Sequence, residues 1–536
     1  MVITVRHLRQ GMVVGLGPLL LAGCGGDSGS TGGRTAQAAS AAASGSVVAA
    51  GPVATDSASA TGPAAAPSNL GVNVGTIDWY SGERPFNNLL LGSRWQDPAN
   101  GWSDVPDAAL DAAGYPRVVG PQGLNRAVGL TAADWAGTPV AIRCTWTGAG
   151  NVTVGGAKRD LAWGPNYLEF VRTSTVPGQR ENVWLTLWPT SSGSPARDLD
   201  CREKAGAGTG PFAPEFLDSL KGYGVIRFLD WSVANANPAS VTWAGRTPAT
   251  ALGQAGGGGV ALEHMIALAA QVGADPWFNV PWNADDDYVR RMAQLVHDTL
   301  PAGRRVYVEV GNEVWNYAFG VTLQAEKEGQ AAGLSSDRVE AMLRRYAEKT
   351  SATMKIWAQV FADRPGQLVR VAATQNSNPW TAETVLGWKD TAANVDALAT
   401  APYFGYDLLT GQPATAAPDP LLATLATQAA SAIGQQAAAN QAVAKKYGKR
   451  YLAYEAGQHM LTPSATVDLL ATLNRSPRMY DIYKSYIGAW KAQVNDVMVL
   501  YNATGPISQY GAWGLREYAG QPLAQTPKRR AALEAR

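Results

Sequence analysis

The hydrophobic pattern changes character three times along the chain. From residue 216 onward, short runs rich in β-branched and aromatic residues alternate with longer stretches of helical period. The runs are VIRFLDW (225–231), PWFNVPW (276–282), VYVEV (306–310), LVRVAAT (368–374), VDALATAPYF (395–404), YLAYEAG (451–457) and DVMVLYNA (496–503). Helical stretches such as VALEHMIALAAQVG, closed by Gly273, and YVRRMAQLVHDTL, preceded by Asp285, lie between them. With LGVNVGTI (70–77) as the first strand, eight strands alternate with helices, which predicts an α/β fold, a (β/α)8 TIM barrel. A doubly wound sheet is the competing architecture, but no glycine-rich loop opens a helix after a strand. Gly256–Gly259 lacks that order.

Residues 139–201 read differently. VAIRCTW, NVTVGG, NYLEFV and NVWLTLWP are short alternating runs separated by Gly, Asn, Pro and Ser. This predicts a small antiparallel β-sandwich inserted after the first barrel strand. Trp146, Trp163, Trp184 and Trp188 could give it a stacking face, with core packing as the alternative.

The first 67 residues carry neither pattern. Residues 1–24 have Arg6, His7 and Arg9 ahead of an apolar run too short to span a bilayer. The run ends in Leu21-Ala22-Gly23-Cys24, which resembles a bacterial lipobox and implies cleavage before Cys24 and lipid on its sulfur. Gly25 in place of Asp implies the outer membrane or cell surface. Residues 25–67, nearly all Ala, Gly, Ser, Thr and Pro, cannot build a core and read as a disordered tether of about 35 Å. The expected organisation is therefore signal 1–24, tether 25–67, first strand 68–98, inserted module 99–206, barrel 207–520 and tail 521–536.

Composition narrows the chemistry. Net charge is +1 and 16% of residues are charged, so no basic field favours nucleic acid. The 18 Trp and 19 Tyr outnumber 9 Phe, favouring rings that stack and also hydrogen-bond, as carbohydrate binding requires. Four His and three Cys, without HExxH or CxxC spacing, argue against a metal, and no cofactor or protein partner is expected. With Cys24 assigned to lipid, Cys144 and Cys201 could form a disulfide joining the edges of the module or remain two buried thiols.

Barrel chemistry sits at the carboxyl ends of strands. Those positions hold Arg227 and Asp230 on strand two, and Asn279 and Trp282 on three. Strand four ends in Asn312 and Glu313, six in Tyr403 and seven in Glu455, with Trp513 after eight. Two carboxyls facing each other across a mouth suit glycosidic cleavage, one protonating the leaving oxygen and the other attacking the anomeric carbon or activating water. Asn-Glu ending strand four with Glu ending strand seven resembles clan A of the glycoside hydrolases, retaining β-glycosidases on (β/α)8 barrels. The resemblance covers roughly 68–98 and 207–520.

It implies that Glu313 is the acid/base and Glu455 the nucleophile. Asn312 would bind the sugar 2-hydroxyl, Arg227 and Tyr403 would support the nucleophile, and Trp513 would floor the subsite. Asn279 and Trp282 are expected cleft liners. The chain departs from the clan at Val314, where proline is common, and at Ala401, where histidine is common; His459 is a possible substitute. Arg227 could instead pair with Asp230. The alternative reading is a non-catalytic carbohydrate-binding surface lipoprotein on an inactive barrel.

Overall fold

A computed structural model describes residues 68–156, 158–173, 182–190, 193–206 and 208–536. The expected signal segment with Cys24 and the expected tether lie outside the described residues. Eight parallel strands close into a barrel. In chain order they are β1 (Leu70–Asn73), β2 (Val225–Arg227), β3 (Asp275–Val280), β4 (Val306–Val310), β5 (Leu368–Ala373), β6 (Ala397–Thr400), β7 (Arg450–Ala453) and β8 (Met498–Leu500). Each pairs with the next, and β1 closes the ring against β8 through Leu70–Met498 and Val72–Leu500. This is the (β/α)8 barrel the sequence predicts.

Alternation sorts the side chains. On β4, Val306, Val308 and Val310 face the surrounding helices, while Tyr307 joins the interior cluster with Trp277, Val371 and Leu452. Trp277 and Tyr307 stack with centroids 5.2 Å apart, so this part of the barrel is a filled core. The helices start and stop where their caps dictate. Asp285 accepts from the Tyr288 amide at 2.7 Å to open Asp286–Thr299, and Gly273, at φ 73°, ends Leu262–Val272.

Between β1 and β2 lie two antiparallel sheets. One orders Arg197–Glu203, Val140–Thr147, Tyr167–Arg172 and Arg159–Gly164; the other orders Ser103–Asp104, Trp95–Asp97, Leu124–Ala127, Val183–Leu187 and Val152–Gly156. Ile142, Phe170 and Cys201 from the first pack with Trp95, Leu185 and Leu187 from the second in one cluster. The second sheet thus recruits strands from 95–127, a stretch whose Pro, Gly and Asp content reads as connections. The disulfide Cys144–Cys201 is formed. It cross-links directly opposed residues of the edge strand Arg197–Glu203 and its neighbour Val140–Thr147 in one sheet. The four tryptophans divide between the sheets, Trp146 and Trp163 on or beside one and Trp184 and Trp188 on or beside the other, so no single sheet face carries them all.

Residues beyond 520, expected as a tail, end in the helix Pro527–Glu534. Ala531 and Ala532 are fully buried there, and this helix packs on Arg478–Gln493 as the last of the outer layer.

Candidate active site

β4 is followed by Gly311, whose φ of 64° turns the chain sharply. Glu313 follows with φ 43°, a left-handed conformation that is unfavourable for glutamate and points its carboxyl into the barrel mouth region shared with Glu455. Glu313 is buried. It accepts from the Tyr454 hydroxyl at 3.0 Å and from the Asn316 amide at 2.8 Å, both neutral donors. Burial, and then the nearby charge of Glu455, push its pKa up to about 7.

Glu455, just past β7, stands in a different environment. Arg227 Nη1 donates to its Oε1 at 2.7 Å, and the Tyr403 hydroxyl donates to its Oε2 at 2.8 Å. One carboxyl is thus held by a cation and a phenol, the other by neutral groups alone.

Arg227 organises the centre. It is fully buried and donates through Nε and Nη2 to both oxygens of Glu309, at 3.1 and 3.0 Å. It also donates to Asn73 at 3.1 Å and to Asn312 at 2.9 Å. Burial works against its charge, but Glu309 and Glu455 outweigh burial and hold its pKa above the ordinary value. Glu309 itself lies above the usual carboxylate range because of burial, with Arg227 and Trp277 opposing; the Trp277 indole donates to it at 2.9 Å. Arg227 therefore bridges Glu309 and Glu455, whereas Asp230, the partner considered from sequence, bonds with Tyr501 and Thr76. Burial, then the Glu455 charge, raise Asp230 to about 7.

The remaining residues fall into two groups. Asn312 belongs to the centre, giving its Nδ2 to Asn235 at 3.0 Å while its Oδ1 accepts from Arg227. Trp513 belongs there too: its indole donates to His459 Nδ1 at 3.2 Å, and the His459 ring lies 4.8 Å from that of Tyr403. Burial lowers His459 to about 4, so it is neutral at pH 7. Accepting on Nδ1, it carries its proton on Nε2.

Asn279 is fully buried and donates to the Gly311 carbonyl at 2.8 Å, so it holds the β4 turn rather than lining a cleft. Trp282 packs outward: it is 3% exposed, sits among the helix-facing residues and donates to Glu328 at 3.3 Å. Sequence reasoning missed Glu309, Tyr454 and Asn316. Glu309 had a signal, because alternation puts it on the inward face with Tyr307, where an unpaired charge is prohibitive. Among the described residues, no group of three or more His, Cys, Asp or Glu is gathered to hold a metal ion.

Fold and site together define a (β/α)8 barrel protein with a carboxyl pair at its mouth, braced by a buried arginine. No protein-family model and no curated protein matches the chain. Three glycoside hydrolases are among the solved structures to which it is similar. A GH51 arabinofuranosidase from Xanthomonas axonopodis pv. citri is 12% identical with a TM-score of 0.37, covering 57% of this chain and 63% of that one. A β-glucosidase from Thermotoga maritima in complex with castanospermine is 11% identical with a TM-score of 0.35, covering 60% and 84%. An endo-β-1,4-mannanase from Thermotoga petrophila is 12% identical with a TM-score of 0.33, covering 60% and 72%. The chain thus spans less than two thirds of the arabinofuranosidase and more of the other two.

Proposed function

We propose that this chain is a retaining glycoside hydrolase acting on β-linked oligo- or polysaccharides, with Glu455 as nucleophile and Glu313 as acid/base. The observation that carries the reading is the asymmetry of the two carboxyls. Glu455, oriented by Arg227 and Tyr403, is set as a nucleophile. Glu313, raised to about 7, keeps a proton available near neutral pH.

In the first step a Glu455 oxygen bonds to the anomeric carbon while the glycosidic C–O bond breaks and the Glu313 proton passes to the departing oxygen. In the second, Glu313 takes a proton from water, the water oxygen bonds to the anomeric carbon, and the ester to Glu455 breaks. Loss of the Glu455 charge in the intermediate removes one cause of the raised Glu313 pKa, which suits the switch from acid to base. Trp513 and the neutral His459 would present an aromatic floor and an N–H donor to the sugar. A lipid anchor at Cys24 would hold the enzyme at the cell surface.

Release of reducing ends from a panel of β-linked polysaccharides, with Glu455→Ala as blank, tests the proposal. Turnover by the wild type alone supports it. Binding without turnover by either protein favours the non-catalytic alternative.

A further inference from the structure

Four arginines rank among the largest fully buried side chains: Arg126, Arg172, Arg227 and Arg516. Arg172 pairs with Asp134, Arg227 with Glu309 and Glu455, and Arg516 with Glu83 and Glu215. Arg126 is the exception. Its Nε and Nη2 donate to the carbonyls of Leu90, Ser93 and Leu252, its guanidinium lies 5.3 Å from the Trp95 ring, and no carboxylate among the described residues pairs with it. Nη1 has no hydrogen-bond partner among those residues. Backbone carbonyls supply dipoles but no counter-charge, and a buried cation without one is costly.

Arg126 also lines a cavity through which an anion could reach it. The cavity, of about 590 Å3 and within the range of small-molecule sites, opens where residues 93–126 of the inserted module face residues 243–258 of the loop after β2. Hydrogen bonds from Leu252 N to Ala113 O at 3.0 Å and from Gln254 N to Leu91 O at 2.9 Å tie the two walls together. Of the other charges in the lining, Arg94 is paired with Asp104, Arg246 with Glu263, and Asp111 with Arg197. That leaves Arg117 and Arg126 against Asp107, a net single positive charge. Trp243 also lines it, with the Arg246 guanidinium 4.3 Å from the centre of its ring.

We infer that this cavity binds a sugar bearing a carboxylate, with the carboxylate completing Arg126 at Nη1 and the ring lying between the module wall and the 243–258 loop. The cavity is larger than a bare anion needs, and one of its walls is a loop of the barrel mouth. The sugar part of the inference rests on the glycosidase reading, and the anion part does not.

Calorimetric titration of the full chain with sodium D-glucuronate, D-glucose and sodium acetate tests it. Glucuronate is expected to bind saturably, with glucose and acetate each at least tenfold weaker. Arg126→Gln should weaken glucuronate about tenfold. Because Arg126 also holds three carbonyls, Arg117→Ala at the exposed rim is the folding-safe variant, expected to lose about threefold with an unchanged thermal melt. No saturable glucuronate binding, or equal affinity for glucose, overturns the site. Equal affinity for acetate overturns its assignment to a sugar. Glu455→Ala should bind glucuronate as the wild type does, so a failure of catalysis is distinguishable from a failure of this site.

Discussion

Replacing Glu313 by Gln should abolish turnover and, at alkaline pH, make the protein more stable. In the folded state Glu313 ionises at about 7 because burial and Glu455 disfavour its charge; in the unfolded chain it ionises near 4.5. The folded state therefore binds this proton more tightly. The associated stability is fully present below about pH 4.5 and is lost as pH rises to about 7. At about 1.4 kcal/mol per pH unit, the loss is about 3 kcal/mol above pH 7.

A glutamine carries no such loss. Its carbonyl can still accept from Tyr454, but its amide meets the Asn316 donor, sacrificing one hydrogen bond at about 1 kcal/mol. Relative to wild type, Glu313→Gln should be about 1 kcal/mol less stable at pH 4, level near pH 5 and about 2 kcal/mol more stable at pH 8. Denaturant unfolding of both proteins from pH 4 to 8 reads this directly, since ionisations remote from Glu313 cancel in the difference and what remains belongs to Glu313 and the groups coupled to it. A difference that does not change with pH, or a variant less stable at pH 8, refutes the assignment of Glu313 as the protonated partner.

Other outcomes follow from the same contacts. The alkaline limb of kcat/KM should fall near pH 7 as Glu313 loses its proton, and a limb above pH 9 would contradict this. Glu309→Gln removes the bidentate carboxylate from Arg227 and should cost about 3 kcal/mol in unfolding free energy, with kcat falling more than KM rises. A loss under about 1 kcal/mol with unchanged kcat would show that Glu309 does not brace the centre. The disulfide closes a loop of sequence separation 57, so replacing Cys144 and Cys201 together by Ser should destabilise the inserted sheets by up to about 4 kcal/mol in guanidinium unfolding. Cys24→Ser should eliminate metabolic labelling with palmitate, and retained labelling would locate the lipid elsewhere.

How much of this could be read from sequence depended on periodicity. The barrel strands are buried on both faces and separated by helices, so their apolar runs were legible, and the chemistry lay just beyond their ends, as with Glu313 and Glu455. Asn279 and Trp282 read together as cleft liners, yet Asn279 lies on β3 and Trp282 in the turn two residues past its end. Asn279 shares the inward parity of Trp277, while Trp282, past the strand, packs in the helix-side cluster with Phe278 and Val280. The same parity exposes Glu309 as an inward charge that needed a partner.

Other features left little trace. Trp95–Asp97 and Leu124–Ala127 are too short to establish a period, and they pair with strands from elsewhere in the inserted module. The closing helix Pro527–Glu534 buries alanines and the whole of Lys528, whose amine donates to the Ala512 carbonyl, so it has no apolar stripe to recognise. Asn235 reaches Asn312 from a loop whose path is fixed only by the folded barrel.

The account rests on Glu455 becoming covalently bonded to the sugar. Incubation with a 2-deoxy-2-fluoro-β-glycoside carrying a good leaving group, followed by mass spectrometry of the digested protein, measures this most directly. The expected result is one sugar per chain on the peptide containing Glu455, formed more slowly in Arg227→Lys and absent in Glu455→Gln. Attachment at another residue, or turnover that inverts the anomeric configuration with no trapped species, would contradict the account.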